Sequence, residues 1–129
     1  MQFGYTIVYV TDPGASLEFF ERAFGLKRRF LHESGTYGEL DTGATTLSFA
    51  QHGIARDNLG HDYVAADVSA APLGMEIGLL CTDVPAAVRR AVDAGATLLM
   101  APASKPWGQT VAYVRTPDGT LVELCTPVG

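Results

Sequence analysis

The sequence predicts an α+β protein built from two copies of a βαβββ module, and three observations lead there. A strand, an aspartate stop, an amphipathic helix and a closing glycine occur in that order over residues 2–25 and again over 75–95. Each unit is followed by short runs rich in β-branched and aromatic residues, separated by turn-forming residues. The spacing agrees as well, with Gly25 thirteen residues after Asp12 and Gly95 twelve after Asp83. One module alone would leave a sheet face uncovered, so two are expected to share a core within a single domain spanning 1–129.

The first module covers 2–50. Residues 2–10, QFGYTIVYV, form a strand by composition, and Asp12-Pro13-Gly14 stops it. From Ala15 to Phe24 the spacing of Leu17, Phe20, Ala23 and Phe24 marks one face of a helix, with Asp12 or Ser16 at its start and Gly25 past its end. Residues 26–33 and 37–50 supply three more strands, broken at Ser34-Gly35 and at Asp41-Thr42-Gly43. Over 51–74 the periodic pattern lapses into Ala, Asp, Gly, Ser, Pro and His, which reads as a linker and surface loop lying over a site.

The second module covers 75–127. Met75 to Cys81 is a strand, and Asp83 repeats the cap. Ala86 to Ala94 is a helix with Val88, Ala91 and Val92 on one face. Strands at Thr97–Met100, Gln109–Arg115 and Thr120–Cys125 complete it. The last two are joined at Thr116-Pro117-Asp118-Gly119, where Pro sets the entry angle and Gly accepts a positive φ. Alternation then puts Val122 and Leu124 on one side and Leu121, Glu123 and Cys125 on the other, a carboxylate on an otherwise apolar strand.

Apolar residues make up 47% of the 129 and charged residues 18%, the balance of a globular protein with apolar surface to spare for an oligomer interface. A net charge of −5, with no basic cluster longer than Lys27-Arg28-Arg29, argues against nucleic acid or an anionic membrane as partner. There is no apolar run of about 20 residues and no secretory leader pattern, so a cytoplasmic location is expected. Cys81 and Cys125 lie in apolar strand-like settings without CxxC spacing and are expected to be free thiols.

Three segments carry a family resemblance: VYVTDPGASLEFFERAFGL at 8–26, LLCTDVPAAVRRAVDAGA at 79–96 and TPDGTLVEL at 116–124. In this order and spacing the chain resembles the vicinal oxygen chelate superfamily, which includes glyoxalase I, bleomycin-resistance proteins, fosfomycin-resistance enzymes and extradiol dioxygenases. The resemblance implies strongly curved sheets that enclose a cup-shaped cavity, helices on the outer faces and a homodimer.

In metal-using members, four positions on the first and last strands of each module hold the ion, usually as His, Glu or Gln. Seven residues before Asp12 stands Tyr5, and seven before Asp83 stands Glu76; the last strands supply Ser48 and Glu123. Tyr and Ser depart from that set, and no His lies on either first strand, so the resemblance extends to the scaffold more than to a transition-metal site. His32, His52 and His61 are expected to face solvent or pack in loops. No cofactor is expected; the alternative is a weakly held Mg²⁺ or Mn²⁺ on Glu76 and Glu123.

Alternation along the first strand puts Phe3, Tyr5, Ile7 and Tyr9 toward the cup and Thr6, Val8 and Val10 under the helix. Trp107 either stacks on a ligand at the rim or covers a hydrophobic edge. The ligand-binding set is therefore Tyr5, Ile7, Ser48, Glu76, Trp107 and Glu123, with Glu76 and Glu123 as catalytic candidates. If those two converge, burial and repulsion should raise at least one pKa. The function expected first is metal-independent binding of a small aromatic or cationic molecule. The alternative is a lyase, isomerase or other enzyme of the superfamily using Glu76 or Glu123 as base. A third reading leaves both carboxylates solvated and makes the chain an interaction module.

Overall fold

Two aspartates start the principal helices in the same way. In the computed structural model, which describes residues 1–128, the Asp12 carboxylate accepts from the Ala15 N–H at 3.2 Å and Asp83 accepts from that of Ala86 at 3.0 Å. Each satisfies an otherwise orphaned first-turn donor. The elements run β1 (Tyr5–Val10), α1 (Pro13–Phe24), β2 (Lys27–Leu31), β3 (Tyr37–Asp41), β4 (Thr46–Gln51), α2 (His52–Leu59), a 3₁₀ turn (Ala66–Val68), β5 (Ile77–Leu80), α3 (Val84–Ala94), β6 (Thr97–Ser104), β7 (Thr110–Arg115) and β8 (Leu121–Cys125). Of the two candidates for the first cap, Asp12 takes the role. Ser16 is buried and instead donates to Asp118 Oδ2 at 2.9 Å, tying the first helix to the β7–β8 turn.

The eight strands form two four-stranded mixed sheets, ordered β1-β4-β3-β2 and β5-β8-β7-β6. β1 lies parallel to β4 with Ile7 opposite Ser48, and β5 lies parallel to β8 with Gly78 opposite Glu123. The duplication and the α+β class are as the sequence predicts. One core joins the modules, with Leu17 and Phe20 of α1 and Val88 and Ala91 of α3 packed with Val10, Phe49, Val114 and Val122 from the sheets. α3 also closes the end of α1, where Arg90 Nε donates to the Arg22 carbonyl at 2.8 Å. Such capping answers carbonyls that a helix end leaves unpaired. No helix among the described residues is long and apolar enough to cross a membrane.

Three expectations need correction. Val92 is 40% exposed, and Val84 takes its place on the buried face of α3. β6 runs past Met100 to Ser104, absorbing register shifts on either side of Met100. The segment 51–74, read as a linker and loop, contains the two turns of α2, closed by Gly60 at φ 69°, and the 3₁₀ turn. Only Ala55 of α2 is buried, so the helix left no apolar stripe for periodicity to detect.

The segment as a whole forms a strap, fixed by two residues far away in sequence. Arg115 of β7 donates to the carbonyls of Ala66 at 2.9 Å and Ser69 at 2.8 Å, and also to Ala70 and Gly119. Gly119 lets the strap pass, since a Cβ built there would lie 2.1 Å from the Ala66 carbonyl oxygen.

Candidate functional site

On β1, alternation sends Val8 and Val10 toward the core and leaves Tyr5 and Ile7 on the other face, where Tyr5 is 59% exposed; Phe3, ahead of the strand, is 67% exposed. Ile7 and Tyr9 line a cavity of about 260 Å³ between the modules. Met75, Glu76 and Ile77 form its second wall, the β7–β8 turn with Leu121 a third, and the strap closes it with Tyr63, Val64 and Leu73. The lining is predominantly apolar, and Glu76 is the acidic side chain in it. Concave apolar spaces with few polar groups are the usual form of a small-molecule site.

Glu76 and Glu123 act on each other electrostatically. Glu76 is solvent-exposed, yet partial burial first and the Glu123 charge second raise its pKa above the ordinary value. Glu123 has a different environment, because the Tyr113 hydroxyl donates to its Oε1 at 2.6 Å. That bond, then burial and the two carboxylate charges, push the Tyr113 phenol up to about 12. Cys125 is buried beside them, and burial followed by Glu123 pushes its thiol up to about 11. Both cysteines are free. With the thiolate suppressed, Cys125 is expected to resist a thiol reagent at pH 8 in the folded protein and to react fully in denaturant; rapid labelling of the native Cys125 would contradict this environment.

The first module's counterpart is polar but closed. Ser48 is fully buried between Ile7 and Glu39 in the sheet, and its Oγ has no hydrogen-bond partner among the described residues. Glu39 accepts from the Tyr37 hydroxyl at 2.7 Å and from Arg29 at 3.4 Å. Arg29 reaches Thr46 and Asp41 as well. The expected set is therefore divided: Ile7 and Glu76 share the cavity, while Tyr5, Ser48, Trp107 and Glu123 do not line it. Trp107 is 59% exposed and donates its ring N–H to Gln109 Oε1 at 2.7 Å.

The strap contributes residues for which the sequence predicts only a loop. His52 Nδ1 lies 2.5 Å from the Tyr63 hydroxyl, and its Nε2 lies 2.9 Å from Asp67 Oδ2. Thr11 donates to the same Asp67 oxygen at 2.8 Å. Burial opposes the Asp67 charge, but the bonds from His52 and Thr11 outweigh it and hold the carboxyl below its ordinary range. The Tyr9 and Tyr63 rings pack at a tilt of 56° with centres 4.9 Å apart, and the Arg56 guanidinium sits 4.7 Å from the Tyr63 ring centre. The one signal in the sequence was an aromatic residue isolated within a polar stretch.

The four positions at which the resemblance implies a metal do not fit one well. They offer a phenol, a buried hydroxyl and two carboxylates, one of them already bonded to Tyr113. Among the described residues no three His, Cys, Asp or Glu side chains stand together as a zinc or non-haem iron site requires.

Comparison with known proteins gives a consistent picture. Residues 2–124 match the family model of the Glyoxalase/Bleomycin resistance protein/Dioxygenase superfamily. Among solved structures, a glyoxalase/bleomycin resistance protein/dioxygenase family enzyme from Burkholderia phytofirmans PsJN is similar at TM-score 0.82 and 21% identity, covering 98% of each chain. A glyoxalase-related enzyme from Fulvimarina pelagi is similar at TM-score 0.82 and 22% identity, over 100% of this chain and 93% of the other. TioX from Micromonospora sp. ML1 is similar at TM-score 0.68 and 23% identity over 98% of each chain. At such identities the likeness is one of fold. No curated protein matches the chain.

Proposed function

The chain belongs to the Glyoxalase/Bleomycin resistance protein/Dioxygenase superfamily, and from that premise we propose that it binds a small aromatic or cationic molecule without a metal. The observation that carries this reading is the cavity between the modules, where Ile7, Tyr9, Tyr63, Met75 and Leu121 surround space for a small ring system and Glu76 supplies one negative charge. Aromatic faces and a carboxylate together favour a desolvated organic cation. The net charge of −5 attracts the same class. The reading includes a homodimer, since Phe3, Tyr5, Leu80, Leu98, Leu99 and Trp107 are exposed apolar side chains of the kind that interfaces cover. It places the protein in the cytoplasm, which suits two free thiols.

Calorimetry with a panel of aromatic cations, on protein dialysed against a chelator, tests the proposal. At least one member is expected to bind. Tyr9→Ala should weaken it about tenfold and Glu76→Gln about threefold to fivefold, since Glu76 is exposed and its charge is screened. Failure of every member to bind would overturn the reading. Binding that vanishes on chelation and returns with Mn²⁺ would favour instead an enzyme using Glu76 with a divalent ion, the second reading that the raised Glu76 pKa supports.

A further inference from the structure

Binding alone gives no role to the chain of hydrogen bonds behind Tyr63. On the reading that the cavity binds a small molecule, we propose that Tyr63, His52 and Asp67 form a proton relay through which Tyr63 interconverts the keto and enol forms of a neutral aromatic 1,3-dicarbonyl compound.

The direction of the relay follows from its acceptor. Asp67 is held ionised and can only accept, so His52 carries its hydrogen on Nε2 and points it at Asp67 Oδ2, 2.9 Å away. In the relay that is the hydrogen His52 bears, which leaves Nδ1 a lone pair 2.5 Å from the Tyr63 hydroxyl, close enough to accept its proton. The Thr11 hydroxyl, just past the end of β1, fixes the carboxylate. A phenol, an imidazole and a carboxylate in this sequence form the arrangement in which a weak base is strengthened by a neighbour that takes its proton. Burial raises the Tyr63 phenol, with Arg56 pulling the other way, so at rest the proton stays on Tyr63. Of the three side chains, Tyr63 lines the cavity and would meet the occupant; His52 and Asp67 do not line it and act through Tyr63.

The substrate class follows from the walls. Ile7, Tyr9, Leu73 and Met75 accept a neutral ring, while Glu76 and the overall negative charge disfavour an anion. Carbon acids flanked by two carbonyl groups have acidities in the range of a phenol, and tyrosine ordinarily ionises near 10, so transfer between them is close to balanced. In the forward step Tyr63 passes its proton to His52 Nδ1. Its oxygen then takes the proton from the carbon between the carbonyls: that C–H bond breaks, an O–H bond forms, and the electron pair moves to make the C=C bond and an enolate oxygen. Tyr63 next gives its proton to the enolate oxygen and recovers one from His52 Nδ1. The net change is one proton moved from carbon to oxygen, with the relay restored and no co-reactant consumed.

1-Phenylbutane-1,3-dione serves as the probe, its enol followed by ultraviolet absorbance and its binding by calorimetry on the same full-length protein. The native protein is expected to speed equilibration at least 100-fold over buffer, within the range of about 10²–10⁴ for acid–base catalysis. Tyr63→Phe should lower kcat at least about 50-fold while changing KM less than threefold, because the ring and its packing against Tyr9 remain. His52→Gln and Asp67→Asn, which alter positioning residues, should lower kcat about tenfold at unchanged KM, a split that simple loosening of the strap would not give. Equilibration at the buffer rate with the probe bound, or a Tyr63→Phe variant as fast as native, overturns the relay and leaves the binding reading intact. A cation that binds where the dione does not also overturns the relay alone. If neither binds, both readings fall. Should Tyr63→Phe fail to fold, His52→Gln at native speed is sufficient to reject the relay.

Discussion

Gly119→Ala is expected to cost at least about 3 kcal/mol and to lower Tm by about 10 °C or more. Two effects combine at this position. Gly119 has φ 89°, where an alanine is strained by about 1–2 kcal/mol. The new Cβ would also stand 2.1 Å from the Ala66 carbonyl oxygen and 2.4 Å from its carbon, both backbone atoms that no rotamer change can move aside. Relief requires the strap to lift, which pulls the Ala66 and Ser69 carbonyls away from Arg115 and opens the wall holding Tyr63. Gly43→Ala is the matched control, because Gly43 has the same φ of 89° and open space around it. Urea unfolding of the two variants separates strain from collision. Equal losses would mean that the strap yields freely and does not depend on Gly119.

Phe20→Ala is expected to destabilise the protein by about 3–5 kcal/mol in the same measurement. Phe20 is 0% exposed, and its ring centre lies 5.0 Å from that of Phe49 and 5.1 Å from that of Phe24. It sits on α1 at the point where the first sheet and the helix pair meet, so the void left by the ring cannot fill without moving both. Val68→Ala, at a residue 81% exposed, should change stability by no more than about 0.5 kcal/mol. A Phe20→Ala loss below about 1.5 kcal/mol would show a core loose enough to collapse around the gap.

The architecture was legible because it rests on local chemistry repeated twice. Asp12 and Asp83 cap helices through their own side chains, and Gly25 and Gly95 end them at positive φ, all within a dozen residues of sequence. Alternation on β1 correctly assigned Val8 and Val10 to the core, because a pleated strand cannot present them elsewhere. Counting back from the two caps also brought out Glu76, which the structure places in the cavity and within electrostatic reach of Glu123. The remainder of the site was less legible. Nothing about Ser48 in the sequence says that its hydroxyl is sealed between neighbouring strands. Nor does the sequence show that Glu123 is already engaged by Tyr113, ten residues earlier on an adjacent strand.

Local patterns in the chain were enough for the duplicated α+β scaffold, the faces that make its core, and the family that its three segments resemble in their order and spacing. They were enough because caps, turns and strand alternation act over distances the chain records directly. Where the cavity lies, that Tyr63 lines it and that His52 and Asp67 stand behind Tyr63 are settled only by the tertiary structure. Those three residues come from a stretch without periodicity, and their positions depend on Arg115 and Gly119, about 50 residues further along. A strap positioned by contacts so distant in sequence has no local pattern to reveal where it will pass.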